Sequence, residues 1–88
     1  MKQITLDCSR MTGPEQVHDL FAQTLEFPSH YGRNLDALYD QLSTYPALEL
    51  TLLNVEELKK MMRYGNNLLL AIQDAAKDNP NLVLILAD

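Results

Sequence analysis

Cysteine, glycine and basic residues are all scarce in this 88-residue chain. Because Cys8 is the only cysteine, the chain can form no intrachain disulfide and has no paired-cysteine zinc motif. Seven lysines and arginines stand against twelve acids, which gives a formal net charge of −5. Phosphate binding needs clustered cations, so we expect neither direct nucleic-acid binding nor attachment to an anionic membrane surface.

Long apolar runs are also missing. The run from Leu82 to Ala87 is far too short to cross a bilayer, and the amino terminus lacks the apolar stretch of a secretory signal. A small domain without disulfides suits a reducing compartment, so we expect a cytoplasmic protein. The length predicts a single domain over residues 1–88, and 47% hydrophobic residues are enough for a compact core.

Hydrophobic periodicity predicts the element order β-α-α-β-α-α-β. Alternating runs around Leu6 and Leu50 predict two strands, and the unbroken apolar run Leu82–Leu86 predicts a third strand that is buried on both faces. Helical connections between successive strands imply parallel pairing. The predicted fold class is therefore α/β, with a small three-stranded parallel sheet packed with about four helices.

The four predicted helices follow apolar residues at helical spacing. They cover about residues 13–25, 34–44, 54–64 and 66–78. Gly65 is expected to end the third helix, and Asn79 followed by Pro80 to end the fourth. His18 lies between core positions of the first helix and is expected at the surface or its boundary.

Enzyme signatures are not found in the sequence. The chain has no phosphate-binding glycine loop, no HExxH and no GxSxG motif. We therefore predict no catalytic residue, no cofactor and no metal ligand, and we expect a protein that is not an enzyme.

The second predicted helix has an unusual exposed face. It carries Asp36, Tyr39, Asp40 and Ser43, opposite the apolar face of Leu35, Leu38 and Leu42. Asp36 lies in the first turn, where an acid favours the helix dipole. Asp40 lies farther along, repels Asp36 by roughly 0.2–0.5 kcal/mol, and has no Lys or Arg three or four residues away. An acid that lowers helix stability and has no compensating local interaction is a candidate for binding a partner.

Tyrosines are concentrated around the same helix. Tyr31, Tyr39 and Tyr45 are three of the four tyrosines in the chain. Tyrosine is enriched at protein interfaces because it combines an apolar ring with a polar tip. A solvated helix face with tyrosines at the edge of the core explains the pattern equally well.

The segment from Phe27 to Tyr45 closely resembles the core motif of the barstar family of intracellular ribonuclease inhibitors. It reads FPSHYGRNLDALYDQLSTY. The similarity covers essentially the whole chain, though more weakly outside this segment. The resemblance implies a three-stranded parallel sheet, with the second helix and the loop before it inserted into the active site of a basic ribonuclease. An acidic side chain then takes the place of a substrate phosphate.

The resemblance also assigns partner contacts to particular residues. They are His30, Asn34, Asp36, Tyr39, Asp40, Ser43 and Tyr45. Asp40 matches the central acid of the family. His30 stands in place of a family tyrosine, Tyr39 and Tyr45 in place of tryptophans, and Ala75 in place of a further acid that contacts the enzyme.

Three functions are consistent with these residues. The leading one is inhibition of a basic ribonuclease or a similar toxin protein by a chain that is monomeric when free. The second is a barstar-like binding or immunity module whose partner is not a ribonuclease. The third is a small hydrolase in which His30 and either Asp36 or Asp40 act as acid and base.

Overall fold

The computed structural model describes all 88 residues and contains three strands, three α-helices and two 3-10 segments. In chain order these are β1 (Lys2–Asp7), a 3-10 turn (Cys8–Arg10), α1 (Pro14–Leu25), α2 (Leu35–Ser43), β2 (Leu48–Leu53), a 3-10 helix (Val55–Met61), α3 (Arg63–Asp78) and β3 (Leu82–Leu86). The predicted α/β class and element order are confirmed, and the third predicted helix is the 3-10 helix.

The three strands form one parallel sheet in the order β1-β2-β3. On the central strand β2, Leu48, Leu50 and Leu52 are fully buried, whereas the two residues between them are only half-buried. This alternation shows that the helices cover one face of the sheet and leave the other open to solvent.

Strand β3 is less buried than its apolar sequence suggests. Leu82 is buried, but Val83, Ile85 and Leu86 remain 42%, 39% and 41% exposed. The reason is that β3 is an edge strand and that no helix covers the outer face of the sheet. The prediction of parallel strands is confirmed, but the prediction that this strand is buried on both faces is wrong.

A single hydrophobic core lies between the sheet and the helices. The helices contribute the fully buried residues Phe21, Leu25, Leu38, Leu42, Leu68 and Ile72. Burying each such side chain stabilises the fold by roughly 1.5–3 kcal/mol relative to exposure. The apolar face predicted for the second helix is therefore the face that packs on the core. None of the helices is long and apolar enough to span a membrane.

The chain passes from the 3-10 helix into α3 at Met62, where the backbone takes a positive φ of 54°. Gly65 lies inside α3 and is buried. A Cβ atom on Gly65 would lie 1.9 Å from the carbonyl oxygen of Leu58. Gly65 thus permits close packing of α3 on the 3-10 helix, and the prediction that it separates two helices is wrong.

Candidate functional site

Local hydrogen bonds fix both ends of α2. At the start, the side-chain oxygen of Asn34 accepts a hydrogen bond from the amide of Ala37 at 2.8 Å, and Asp36 lies in the first turn, where the helix dipole favours an acid. At the other end, the hydroxyl of Ser43 donates to the backbone carbonyl of Asp40 at 3.2 Å. These local hydrogen bonds fix where α2 begins and ends.

Asp36 and Asp40 are both exposed, and their carboxylates form neither a hydrogen bond nor an ion pair. The two ion pairs of the structure use the carboxylates of Asp19 and Glu57 instead. Two carboxylates one helical turn apart are thus available to a cationic partner. Such a partner would offer them charge-assisted hydrogen bonds, which are stronger than neutral ones.

The acidic surface continues from α2 onto α3 through Tyr39. This half-buried tyrosine donates a hydrogen bond to the carboxylate of Asp78. That hydrogen bond is the largest cause of the raised pKa of Tyr39, and the negative charges of Asp78, Asp74 and Asp40 add to it. Asp74 and Asp78 are exposed, one turn apart, and were not among the residues predicted from the sequence.

Ala75 does not share this surface, because its side chain is fully buried in the core. The resemblance to the barstar family placed Ala75 where the family has an acid that contacts the enzyme. The neighbouring Asp74 is exposed instead. In this chain, any acidic contact from α3 must therefore come from Asp74 or Asp78.

The loop between α1 and α2 exposes His30 and anchors the residues around it. His30 is solvent-exposed and forms no hydrogen bond through its side chain. The next residue, Tyr31, is buried, and its ring centroid lies 4.8 Å from that of Phe27. Arg33 has a positive φ of 54°, and its guanidinium pairs with the Asp19 carboxylate of α1 at 2.6 Å.

Tyr45 follows α2, and its side chain makes contacts that stabilise the fold. Its hydroxyl donates to the carbonyl of Leu25 at the end of α1, at 3.0 Å, and accepts from the Lys2 ammonium at 3.4 Å. Its ring also contacts Phe27 edge-on, with centroids 6.5 Å apart. Among the clustered tyrosines, Tyr31 fills the core, whereas Tyr39 and Tyr45 keep accessible surface.

His18 is buried, at 3% exposed, although the sequence suggested a surface or boundary position. Its two ring nitrogens lie 2.6 Å from the hydroxyl oxygen of Tyr31 and 2.7 Å from that of Tyr64. The structure thus satisfies the buried imidazole with two tyrosine hydroxyls. Burial is the largest cause of the lowered pKa of His18, and the nearby charge of Arg33 adds to it.

The predicted residues lie outside the depressions of the protein surface. The three depressions of the protein surface are lined by other residues, and none includes His30, Asp36 or Asp40. No group of His, Cys, Asp and Glu side chains is arranged to hold a metal ion. What the structure offers is an open helix face with carboxylates and tyrosine rings, an arrangement suited to binding another protein.

Comparison with known proteins identifies the family of this chain. The family model described as Barstar (barnase inhibitor) matches residues 1–85, which include the loop, α2 and α3. A curated protein of Bacillus subtilis (strain 168), named "Putative ribonuclease inhibitor YrdF", is 37% identical over 81 residues, covering 89% of this chain and 89% of that protein. The chain therefore belongs to the Barstar family.

Proposed function

We propose that this protein inhibits a basic endoribonuclease by placing α2 and the loop before it in the active site of the enzyme. In this proposal the carboxylate of Asp40 takes the place of a substrate phosphate. The observation that carries it is an exposed Asp40 carboxylate with no hydrogen-bond or ion-pair partner in its own chain, on the helix that matches the family motif. Similarity to a protein named as a ribonuclease inhibitor supports the same function.

The charge of the protein suits such a partner. A site that binds RNA phosphates presents Arg, Lys or protonated His, and these groups form charge-assisted hydrogen bonds with carboxylates. Asp36 lies one turn from Asp40, and Asp74 and Asp78 extend the acidic surface on α3. The net charge of −5 would also accelerate encounter with a basic enzyme. The protein would act by occupying the site, so it needs no catalytic group, cofactor or metal.

The remaining predicted contacts would surround this acidic centre. His30 and Asn34 approach the enzyme from the loop, and Tyr39, Ser43 and Tyr45 from α2 and the residues just after it. Asn34 and Ser43 already bond to the backbone of α2, but each keeps further hydrogen-bonding capacity for a partner. Their role in the complex is part of the proposal.

The test pairs an inhibition assay with one matched pair of variants. Basic endoribonucleases are screened for capture by the protein and for loss of RNA cleavage. Asp40→Asn should then weaken binding at least about thirtyfold, because losing a buried charged contact at an interface costs about 2–5 kcal/mol, a range for which the barnase–barstar complex is itself a reference case. Glu56→Gln changes an exposed acid of the 3-10 helix and removes the same charge, so it should leave affinity nearly unchanged.

Two further measurements separate a specific role of Asp40 from an effect of total charge. The first is thermal stability, which Asp40→Asn should keep or slightly raise because the change relieves repulsion from Asp36. The second is the association rate of the wild type, which should fall as added salt screens the electrostatic attraction between the two proteins. Equal losses of affinity in Asp40→Asn and Glu56→Gln would mean that only total charge matters. A tight complex that leaves RNA cleavage intact would instead favour a binding module with another kind of partner.

A further inference from the structure

Three side chains from three segments form a hydrogen-bonded chain next to the loop that precedes α2. His18 of α1 bonds through Nδ1 to the hydroxyl of Tyr31 in the loop, and through Nε2 to the hydroxyl of Tyr64 in the first turn of α3. Neither hydroxyl has another hydrogen-bond partner in the protein. The loop is therefore joined through one imidazole to two helices that pack on the core.

The protonation state of the imidazole decides which groups donate in this connection. A neutral ring has one N–H donor and one acceptor nitrogen, so one tyrosine hydroxyl donates to it and the other accepts from it. A protonated ring donates from both nitrogens, so both hydroxyl oxygens accept, and the hydroxyl that had donated must turn its own proton away from the ring. The charged groups facing His18 are Arg33 of the loop and Asp19 of α1, and they pair with each other. Burial and Arg33 lower the pKa of His18 while Asp19 opposes them, which favours the neutral ring near pH 7.

The loop depends on side-chain anchors because it belongs to no helix or strand. Between residues 28 and 34 its one backbone hydrogen bond runs from the amide of Tyr31 to the carbonyl of Pro28, at 2.9 Å. Arg33 holds a left-handed backbone conformation, which a non-glycine residue keeps only when its surroundings fix it. The exposed His30 lies directly beside Tyr31, so an anchor on Tyr31 also restrains His30.

We propose that Tyr64 is a positioning residue for partner binding, acting through His18 on Tyr31 and so on the loop that presents His30 and Asn34. This proposal rests on the function proposed above, since Tyr64 itself lies in α3 and outside the predicted contact set. A loop that is ordered before the partner arrives loses less conformational freedom on binding, so the anchor raises affinity without touching the enzyme.

The first test is Tyr64→Phe, which removes one hydroxyl and keeps the ring. The amide of Tyr31 should exchange with solvent about fivefold faster, and the dissociation constant for the inhibited endoribonuclease should rise about fivefold, the factor that one net hydrogen bond supplies. The matched control is Ile72→Val, which removes one methylene group from a fully buried residue of the same helix. It should lower overall stability and leave both loop exchange and affinity unchanged.

The second test is a pH profile, which a purely structural role would not alter. The chain has two histidines, so in a His30→Gln background His18 is the only histidine of the inhibitor that titrates. Affinity should fall as the pH is lowered from about 8 to about 5, because protonation of His18 turns one tyrosine hydroxyl proton away from the ring and places a buried positive charge beside Arg33 at the anchor of the loop. Adding His18→Gln should remove this part of the fall, whereas titration of the enzyme affects both variants equally.

The outcomes separate this inference from the proposed function. If the wild type inhibits but Tyr64→Phe binds equally well, or the pH profiles with and without His18 coincide, the positioning role is overturned even if the loop becomes more mobile. If the wild type inhibits no ribonuclease, the proposed function fails. Loop exchange in Tyr64→Phe then decides alone: faster exchange of the Tyr31 amide supports the anchor, and unchanged exchange overturns it.

Discussion

Asn79 is the polar side chain on which the position of α2 is expected to depend most. It is 3% exposed, and its Nδ2 donates to the carbonyls of Leu42 at 2.9 Å and of Tyr45 at 3.0 Å. Its Oδ1 accepts from the amide of Asn81, also at 2.9 Å. One side chain thus joins the carboxyl end of α2 to the turn between α3 and β3, which holds the proposed binding helix in place.

The cost of removing this side chain follows from its three hydrogen bonds. Each contributes about 1 kcal/mol net, so Asn79→Ala should lower the free energy of unfolding by about 3 kcal/mol. The Leu42 carbonyl keeps a hydrogen bond from the backbone amide of Tyr45 at 3.3 Å, so the groups left without a partner are the Tyr45 carbonyl and the Asn81 backbone amide. Small domains are stable by only about 5–15 kcal/mol, so the loss should be easy to measure.

Urea denaturation followed by far-ultraviolet circular dichroism measures this loss. Asn81→Ala is the matched control, because Asn81 is exposed and its backbone N–H, not its side-chain amide, bonds to Asn79. Asn79→Asp keeps the acceptor but, when ionised, faces two carbonyls without a proton to donate. Its folded-state pKa should therefore be raised, so its stability should fall as the pH rises through that pKa. An Asn79→Ala loss no larger than that of Asn81→Ala would refute the reasoning.

Two other predictions test how the sheet and α3 pack. Gly65→Ala should destabilise the protein by about 2 kcal/mol or more, because the new Cβ would meet the backbone of Leu58. The control Asn67→Ala, on the exposed side of the same helix, should leave stability unchanged or raise it. Equal denaturation midpoints for the two variants would contradict this prediction. Ile85→Thr on the open face of the sheet should cost less than about 1 kcal/mol, against about 2–5 kcal/mol for Leu50→Ala on the covered face. Comparable losses would mean that the outer face is covered after all.

Elements that depend on local sequence could be predicted well. Leu38 and Leu42 lie four residues apart on one face of α2, and this spacing places Asp36 and Asp40 on the other face whatever the rest of the chain does. Asn34 begins the helix through a hydrogen bond to a residue only three positions away. The helix, its buried face and the exposure of its acids were therefore all predictable from the sequence.

Features that depend on distant contacts could not be predicted in this way. His18 shares a helical face with Phe21 and Leu25, a spacing that could have indicated burial. Its partners Tyr31 and Tyr64 lie 13 and 46 residues away, however, and no local pattern links them. Likewise, an apolar strand has the same sequence pattern at the centre of a sheet and at its edge. The exposure of Ile85 therefore follows only from the strand order.

The availability of the α2 carboxylates depends on where Arg33 points. In a continuous helix, Arg33 would lie one turn before Asp36 and could neutralise it. The left-handed backbone at Arg33 instead lies outside the helix, and its guanidinium bonds to the Asp19 carboxylate and the Glu15 carbonyl of α1, at 2.6 and 3.3 Å. The ion pair is about half-exposed, so it adds little stability by itself. Its larger effect is that the cation nearest to α2 in the sequence is committed to α1, which leaves Asp36 and Asp40 free for a partner.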